Sequence, residues 1–455
     1  MSATARWVLP ATWSWVAISE IADVTGGGTP SAKDPENFSD EEGVPWITPA
    51  DLTGYDEPYI SRGKRNLTEK GYLSSSAKLL PTGAVLFTSR APIGYCAIAA
   101  NPIATNQGFK SLVLRDSISS EYTRHYLTWS KPFLETLASG TTFLELSGSK
   151  LQQAPFPLPP LAEQKRIVAR LDALSARSAR ARKELERIDA LVTRYKQAVL
   201  AKAFSGELTK GWRHARGLPF GDSSPLVELC DSIADGDHQA PPKATAGVPF
   251  ITISAMNTGE VDLSKATRFV PKEYYMALHQ NRRARPGDVL YSVAGSYGIP
   301  ALVNFDLPFV FQRHIAILRP KGGRLCSSYL AAMLASPQLK VSADEIATGT
   351  AQKTVPLKGL RQFRIPAARL EEQKEIVRRI ESAFEKIDRL AGEAKRALAL
   401  TDRLDAAILA RAFRGELVPQ DPTDEPASVL LERIKAARAA APKPKRGRRA
   451  TAQTG

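Results

Sequence analysis

Two stretches of this chain place apolar and small residues in strict alternating steps of four and three. In the first they run Ile167, Leu171, Leu174, Ser178, Ala181, Leu185, Ile188, Val192, Tyr195 and Val199. In the second they run Ile376, Ile380, Ala383, Ile387, Leu390, Ala394, Ala397, Thr401, Leu404 and Ile408. A repeat of about 3.5 residues is that of a coiled-coil seam, and the flanking positions are rich in Arg, Lys and Glu, as solvated faces are. Pro155, Pro157, Pro159 and Pro160 prevent an earlier helix start, and Pro366 does the same for the second stretch. Gly206 and Gly415 are natural stops. The pattern predicts two helices of about 40 residues, each roughly 60 Å long. Each helix could pack on its own globular neighbour, but two seams of equal length in one chain more simply bury each other.

The two stretches are copies. Leu161-Ala-Glu-Gln-Lys-Arg-Ile-Val168 recurs as Leu370-Glu-Glu-Gln-Lys-Glu-Ile-Val377, and Ala203-Phe-Ser-Gly-Glu-Leu208 as Ala412-Phe-Arg-Gly-Glu-Leu417. One offset of 209 residues relates both pairs and gives 21 identities in the 48 positions from 161 to 208. The regions ahead of the helices match more loosely. Gly43-Val-Pro-Trp-Ile-Thr48 answers Gly247-Val-Pro-Phe-Ile-Thr252, Gly83-Ala-Val-Leu-Phe-Thr88 answers Gly287-Asp-Val-Leu-Tyr-Ser292, and Gly94 answers Gly298. Gln107 and Gln312 each precede a further apolar run. Short apolar runs bounded by Gly and Pro predict strands in compact mixed domains. The layout expected is a first head at 1–155, a helix at 156–210, a second head at 211–364, a helix at 365–418, and a disordered basic tail at 419–455 containing one short helix near 427–436. The fold class is α+β. Two related heads on a matched helix pair form a pseudo-twofold object if the helices run antiparallel, and such an object can grip two places on a duplex.

Charge sharpens the picture. A formal net charge of +15 over 455 residues favours a polyanionic partner, nucleic acid first. Cys96, Cys230 and Cys326 lie far apart, which fits a reducing cytosol and a cytoplasmic location. No apolar run approaches the ~18 residues of a membrane span. The candidate DNA contacts in the first head are Thr29, Arg62, Lys64, Arg65, Arg90, Asn106, Gln107 and Lys150. In the second head they are Arg282, Arg283, Arg285, Gln312, Arg313, His314, Gln352 and Lys353, with Lys265 and Arg268 in similar surroundings. Basic side chains hold phosphates, whereas Asn, Gln and selected Arg read base edges. Gly26-Gly-Gly-Thr-Pro30 either lets backbone approach a phosphate or forms a turn.

Catalytic signatures are missing. The nearest string to a flipped-adenine pocket, Asn101-Pro-Ile-Ala104, lacks the second proline and the stacking ring. There is no phosphate-binding loop of the Gly-x-x-x-x-Gly-Lys-Ser/Thr type, and the five histidines have no metal-ligand spacing. The readings in view are a DNA-recognition protein, a coiled-coil scaffold without DNA specificity, and a nuclease or methyltransferase in its own right.

Trp15-Val-Ala-Ile-Ser-Glu-Ile-Ala-Asp23, Gly27-Gly-Thr-Pro-Ser31, Val44-Pro-Trp-Ile-Thr48 and the duplicated helix motifs resemble the specificity subunit of type I restriction-modification systems along nearly the whole chain. The resemblance implies two target recognition domains, each reading half of a split DNA site. It also implies an antiparallel coiled coil that sets the gap and docks two methyltransferase subunits. Those partners bind S-adenosylmethionine and methylate adenine; endonuclease subunits that use ATP and magnesium can join, and this chain itself carries no catalytic residue, cofactor or metal. The second copy departs from the pattern at Asp235-Gly-Asp-His-Gln239, where the first has its glycine loop.

Overall fold

The computed structural model describes residues 7–90, 92–140, 144–237, 241–266, 268–350 and 352–440. It contains two compact units, Met1–Lys183 with Leu398–Gly455, and Glu184–Ala397. Four helices frame them: α1 (Leu161–Glu186), α2 (Ile188–Phe204), α3 (Leu370–Arg414) and α4 (Ala427–Ala440).

Both heads use one plan. In the first, a sheet of five strands runs in the order Ala22–Gly26, Lys110–Leu114, Val85–Phe87, Cys96–Ala99, Tyr59–Ile60. In the second, four strands follow the same order: Cys230–Asp235, Ile315–Pro320, Val289–Ser292, Pro300–Leu302. The central strands Val85–Phe87 and Val289–Ser292 are buried at every position because both faces are covered. Val85 and Phe87 feed the core that reaches α1, while Leu86 feeds a second core on the opposite face. Val289, Tyr291 and Leu290 divide in the same way. A smaller sheet is centred on the matched strands Val44–Ile47 and Val248–Ile251, each with a parallel neighbour at Ala104–Thr105 or Val310–Phe311.

Each head continues into its helices instead of standing apart from them. Ile167, Leu171, Ala412 and Phe413 share one core with Tyr122 and Phe156 of the first head. Leu200, Ala203, Ile376 and Ile380 share another with Tyr329 and Leu330 of the second. The Glu-Gln pair that opens both helices explains the sharpest part of the repeat. Gln164 accepts from Ser119 N at 2.9 Å and donates to Pro159 O at 3.0 Å; Gln373 accepts from Cys326 N at 2.7 Å and donates to Ala368 O at 2.7 Å. Glu163 accepts from Trp13 Nε1 at 2.9 Å and Gln420 Nε2 at 2.5 Å, and Glu372 from Arg213 at 2.6 Å and Thr209 Oγ1 at 2.7 Å. Burial pushes the Glu163 carboxyl above its ordinary range, against the pull of its two donors.

Within each unit the paired helices run antiparallel. In the first, Glu163 meets Gln420 while Arg182 reaches Asp402 at 2.7 Å and Asp405 at 3.2 Å. In the second, Arg379 donates to Leu208 O at 2.8 Å while Lys196 reaches Asp388 at 2.6 Å. Gly206 and Gly415 end the helices at φ 78° and 75°, the left-handed conformation that glycine adopts without strain.

Three expectations are corrected. The first predicted helix is two, α1 of 26 residues and α2 of 17, interrupted at Arg187, whereas the second is a single helix of 45. The seam also shifts. Ile167, Leu171, Leu174, Leu185, Ile188, Val192, Ile376, Ile380, Ile387 and Ile408 are buried or half-buried, but Leu390 and Leu404 are 58% and 56% exposed. Ala391 and Asp405 turn inward in their place, as do Arg182 and Lys196 on the first stretch. A straight helix drifts about 20° per heptad from a strict seven-residue repeat, and the long basic side chains lay their stems along the seam while pairing with Asp. Third, residues 419–440 are not a disordered tail: α4 buries Leu430, Leu431 and Ile434 in the first head's core, and Ala427 N donates to Thr12 O at 2.9 Å. The basic run Lys443–Arg449 lies outside the described residues.

Candidate nucleic-acid interface

The third strand of each long sheet ends in the same backbone junction. In the first head, Ser89 N donates to Gly108 O at 2.8 Å and Leu146 N to Ser89 O at 2.9 Å. In the second, Val293 N donates to His314 O at 2.8 Å and Val355 N to Val293 O at 2.7 Å. A strand end, a turn and a hairpin therefore meet at one edge, held by main-chain groups whatever side chains they carry. The side chains are free to differ, and they do. Arg90, Asn106 and Gln107 occupy the junction of the first head; Gln312, Arg313, His314, Gln352 and Lys353 occupy that of the second.

Details separate the candidates. Thr29 Oγ1 donates to Gln107 Oε1, so the glycine-rich loop and the turn meet at the surface. Asn106 Oδ1 accepts from Gly108 N at 2.8 Å and shapes its own turn. A Cβ on Gly27 would stand 2.0 Å from Asn106 O, and one on Gly28 2.2 Å from Ala77 N. Close backbone packing thus accounts for these two glycines. Arg90 faces Glu145 at 3.9 Å, a carboxylate that Lys110 also approaches at 3.3 Å. Lys150 sits exposed on the short helix Gly148–Gln153.

On the small sheets, Arg62 and Lys64 are exposed, and Arg62 donates to Asp40 O at 2.8 Å. The register sets Arg65 opposite Trp46 and Arg268 opposite Phe250. The Arg65 guanidinium lies 4.4 Å from the centre of the Phe38 ring, and that of Arg268 3.9 Å from the Phe250 ring. Both heads thus stack an arginine on an aromatic ring at one topological place, which restricts its rotamers before any ligand arrives. Arg268 was the weaker candidate in the sequence; the match between Val-Pro-Trp-Ile and Val-Pro-Phe-Ile is the signal that pairs it with Arg65.

The Arg282–Arg283–Arg285 cluster divides. Arg282 pairs with Asp235 at 3.5 Å and Asp237 at 3.3 Å, and Arg283 caps main-chain carbonyls at Leu278 and Met276. Both have structural contacts inside the head, while Arg285 is exposed. Burial and the hydrogen bond to Asp237 push Tyr274 up to about 12. Asp235 and Asp237 of the second copy therefore anchor a basic side chain where the first copy has glycines. His238 and Gln239 lie outside the described residues.

Reactive chemistry finds little footing. Burial pushes the Cys230 thiol up to about 12, so it is no thiolate at neutral pH. Among the described residues, no group of three or more His, Cys, Asp or Glu could hold a metal ion.

Two heads of one topology, differing at one loop junction, are the arrangement that comparison with known proteins explains. The model of the type I restriction modification DNA specificity domain matches residues 10–190 and 228–397. The chain belongs to this family. It is 32% identical over 330 residues to the MjaIX specificity subunit of Methanocaldococcus jannaschii, spanning 68% of this chain and 73% of that one. It is 28% identical to the EcoBI specificity subunit of Escherichia coli over 94% of this chain and 93% of the relative. The solved HsdS subunit of Thermoanaerobacter tengcongensis superposes with a TM-score of 0.61 at 26% identity, over 90% of this chain and 99% of that one. A chain from a type I restriction-modification assembly gives a TM-score of 0.66 at 25% identity, over 90% of this chain and all of that one. This specificity subunit is the DNA-recognition component of such a system and not its catalytic one. Among its described residues no helix is long and apolar enough to cross a membrane.

Proposed function

We propose that this specificity subunit directs a type I adenine methyltransferase, acting in the cytoplasm, to a bipartite DNA site. Each head reads one half-site through its loop junction. The helices set the gap and dock two methyltransferase subunits. Those subunits bring S-adenosylmethionine, and endonuclease subunits, where present, bring ATP and magnesium. The carrying observation is the junction itself: an identical backbone frame in both heads presents Arg90 and Gln107 in one and Gln312, Arg313, His314, Gln352 and Lys353 in the other. A constant frame with different polar side chains suits two readers of different short sequences.

Arg65 and Arg268 serve as phosphate holders in this reading, because they occupy the same place in both heads. A head exchange tests the reading. Replacing the second head by that of another specificity subunit should alter one half of the methylated motif and leave the other half intact. A motif that changes in both halves, or in neither, overturns it.

A further inference from the structure

The hairpin that closes each junction fixes one residue at the same place in both heads. Ser139 and Glu145 exchange main-chain hydrogen bonds of 3.1 and 3.0 Å; Thr348 and Thr354 exchange theirs at 2.9 and 2.8 Å. The bridge register then sets Arg90 opposite Glu145 and Ala294 opposite Thr354. Thr88 faces Phe109 as Ser292 faces Ile315, so the place of Lys110 in the first head belongs to Ala316 in the second.

One backbone frame thus carries Arg90, Glu145 and Lys110 in the first head and Ala294, Thr354 and Ala316 in the second. The first set is charged and clustered. Glu145 stands 3.9 Å from Arg90 and 3.3 Å from Lys110, with the Arg90 and Glu145 side chains 35% and 40% exposed. The second set carries no charge, and Ala294 and Ala316 are buried. Since the second head builds its junction without any of the three, the main-chain frame does not require them.

A carboxylate at this edge works against a polyanion. If Arg90 and Lys110 only held phosphates, Glu145 would cancel part of their charge and repel the backbone. Base edges differ from phosphates in offering donors as well as acceptors. An arginine takes N7 and O6 of guanine, and a carboxylate accepts from the N4 amine of cytosine. The major-groove edge of a G·C pair presents these groups side by side, and so do the guanidinium and carboxylate that match them. An A·T pair sets its one donor between two acceptors and ends in a methyl group, which neither charge suits. Lys110 approaches Oε1 of Glu145 and leaves Oε2 on the Arg90 side, which makes it a positioning residue.

We propose that Arg90 and Glu145 together read one G·C pair of the first half-site, the arginine on guanine and the carboxylate on cytosine. This rests on the reading that each head reads one half-site through its junction, and it names a base pair read there.

The test is a map of methylated adenines in cells carrying the full-length chain with the methyltransferase subunit of its own system. The variants are Arg90→Ala, Glu145→Ala and Glu145→Gln, the last of which keeps the side chain's size and exchanges an acceptor for a donor. The wild-type motif should contain a G·C pair in the half assigned to the first head. Each variant should weaken the preference at that one pair about 10- to 100-fold and leave the second half-site as it was. The unchanged second half shows that the complex still assembles, which separates lost reading from lost folding. A first half-site without a G·C pair overturns the proposal alone. So does a motif that all three variants leave intact, or one that they relax at different positions or abolish in both halves. A wild-type map with no split motif dependent on this chain overturns it together with the half-site reading beneath it.

Discussion

Arg213 and Glu372 are buried together at the foot of the second head, with Thr209 as the other donor to the carboxylate. Removing the guanidinium strands a charge in a site that water does not reach. Arg213→Ala should therefore cost about 3–5 kcal/mol in urea unfolding, and a second change, Glu372→Gln, should recover part of it. If Arg213→Ala unfolds with wild-type stability, Glu372 does not depend on that pair. Arg65 and Arg268 are the phosphate holders of the proposed reading. Each alanine variant should lower the slope of log affinity against log salt by about 1 without changing the methylated motif. A changed motif would make either residue a base reader instead. Basic character was legible in the sequence, but the partners of each side chain were not. Arg282 and Arg283 look equivalent to Arg285 along the chain, and only folding brings Asp235 and Asp237 across to Arg282.

The helices were the most legible elements, because a periodic apolar stripe bounded by Pro and Gly leaves few alternatives. Their seam was less so. A strict four-three reading assigns Leu390 and Leu404 to the interior, yet both face solvent while Arg182 and Lys196 turn inward with Asp partners. Leucine is only a statistical marker of the inside, and long basic side chains can line a seam while their heads pair at its edge. The difference can be measured. Leu404→Ser should change stability by no more than about 0.5 kcal/mol, whereas Ile380→Ala, at a buried position, should cost about 2–5 kcal/mol. Equal costs in chemical denaturation would restore the simple heptad. A short helix near 427–436 was legible in the sequence, but its docking on the first head was not, because its surroundings are rich in Pro, Asp and Lys. Its four buried side chains, Ala427, Leu430, Leu431 and Ile434, are what fix it to the first head.

At the scale of the whole molecule, duplication was the decisive signal: the helices repeat at an offset of 209 residues and the head motifs at 204, which predicted two heads of one topology, and the strand orders agree. The loops assigned to base reading in the proposed function carry no periodicity, so nothing along the chain states which bases they would prefer. If the helix pair sets the distance between half-sites, lengthening both helices by one heptad adds about 10 Å, or roughly three base pairs of spacer. A recognised spacer of unchanged length would remove the ruler from the mechanism. The most direct test of specificity is a map of methylated adenines in cells that carry this chain with its methyltransferase subunit, compared with cells lacking this chain alone. A split motif that disappears when the chain is deleted is the predicted result. A map that is unchanged, with the methyltransferase expressed and folded, would contradict it.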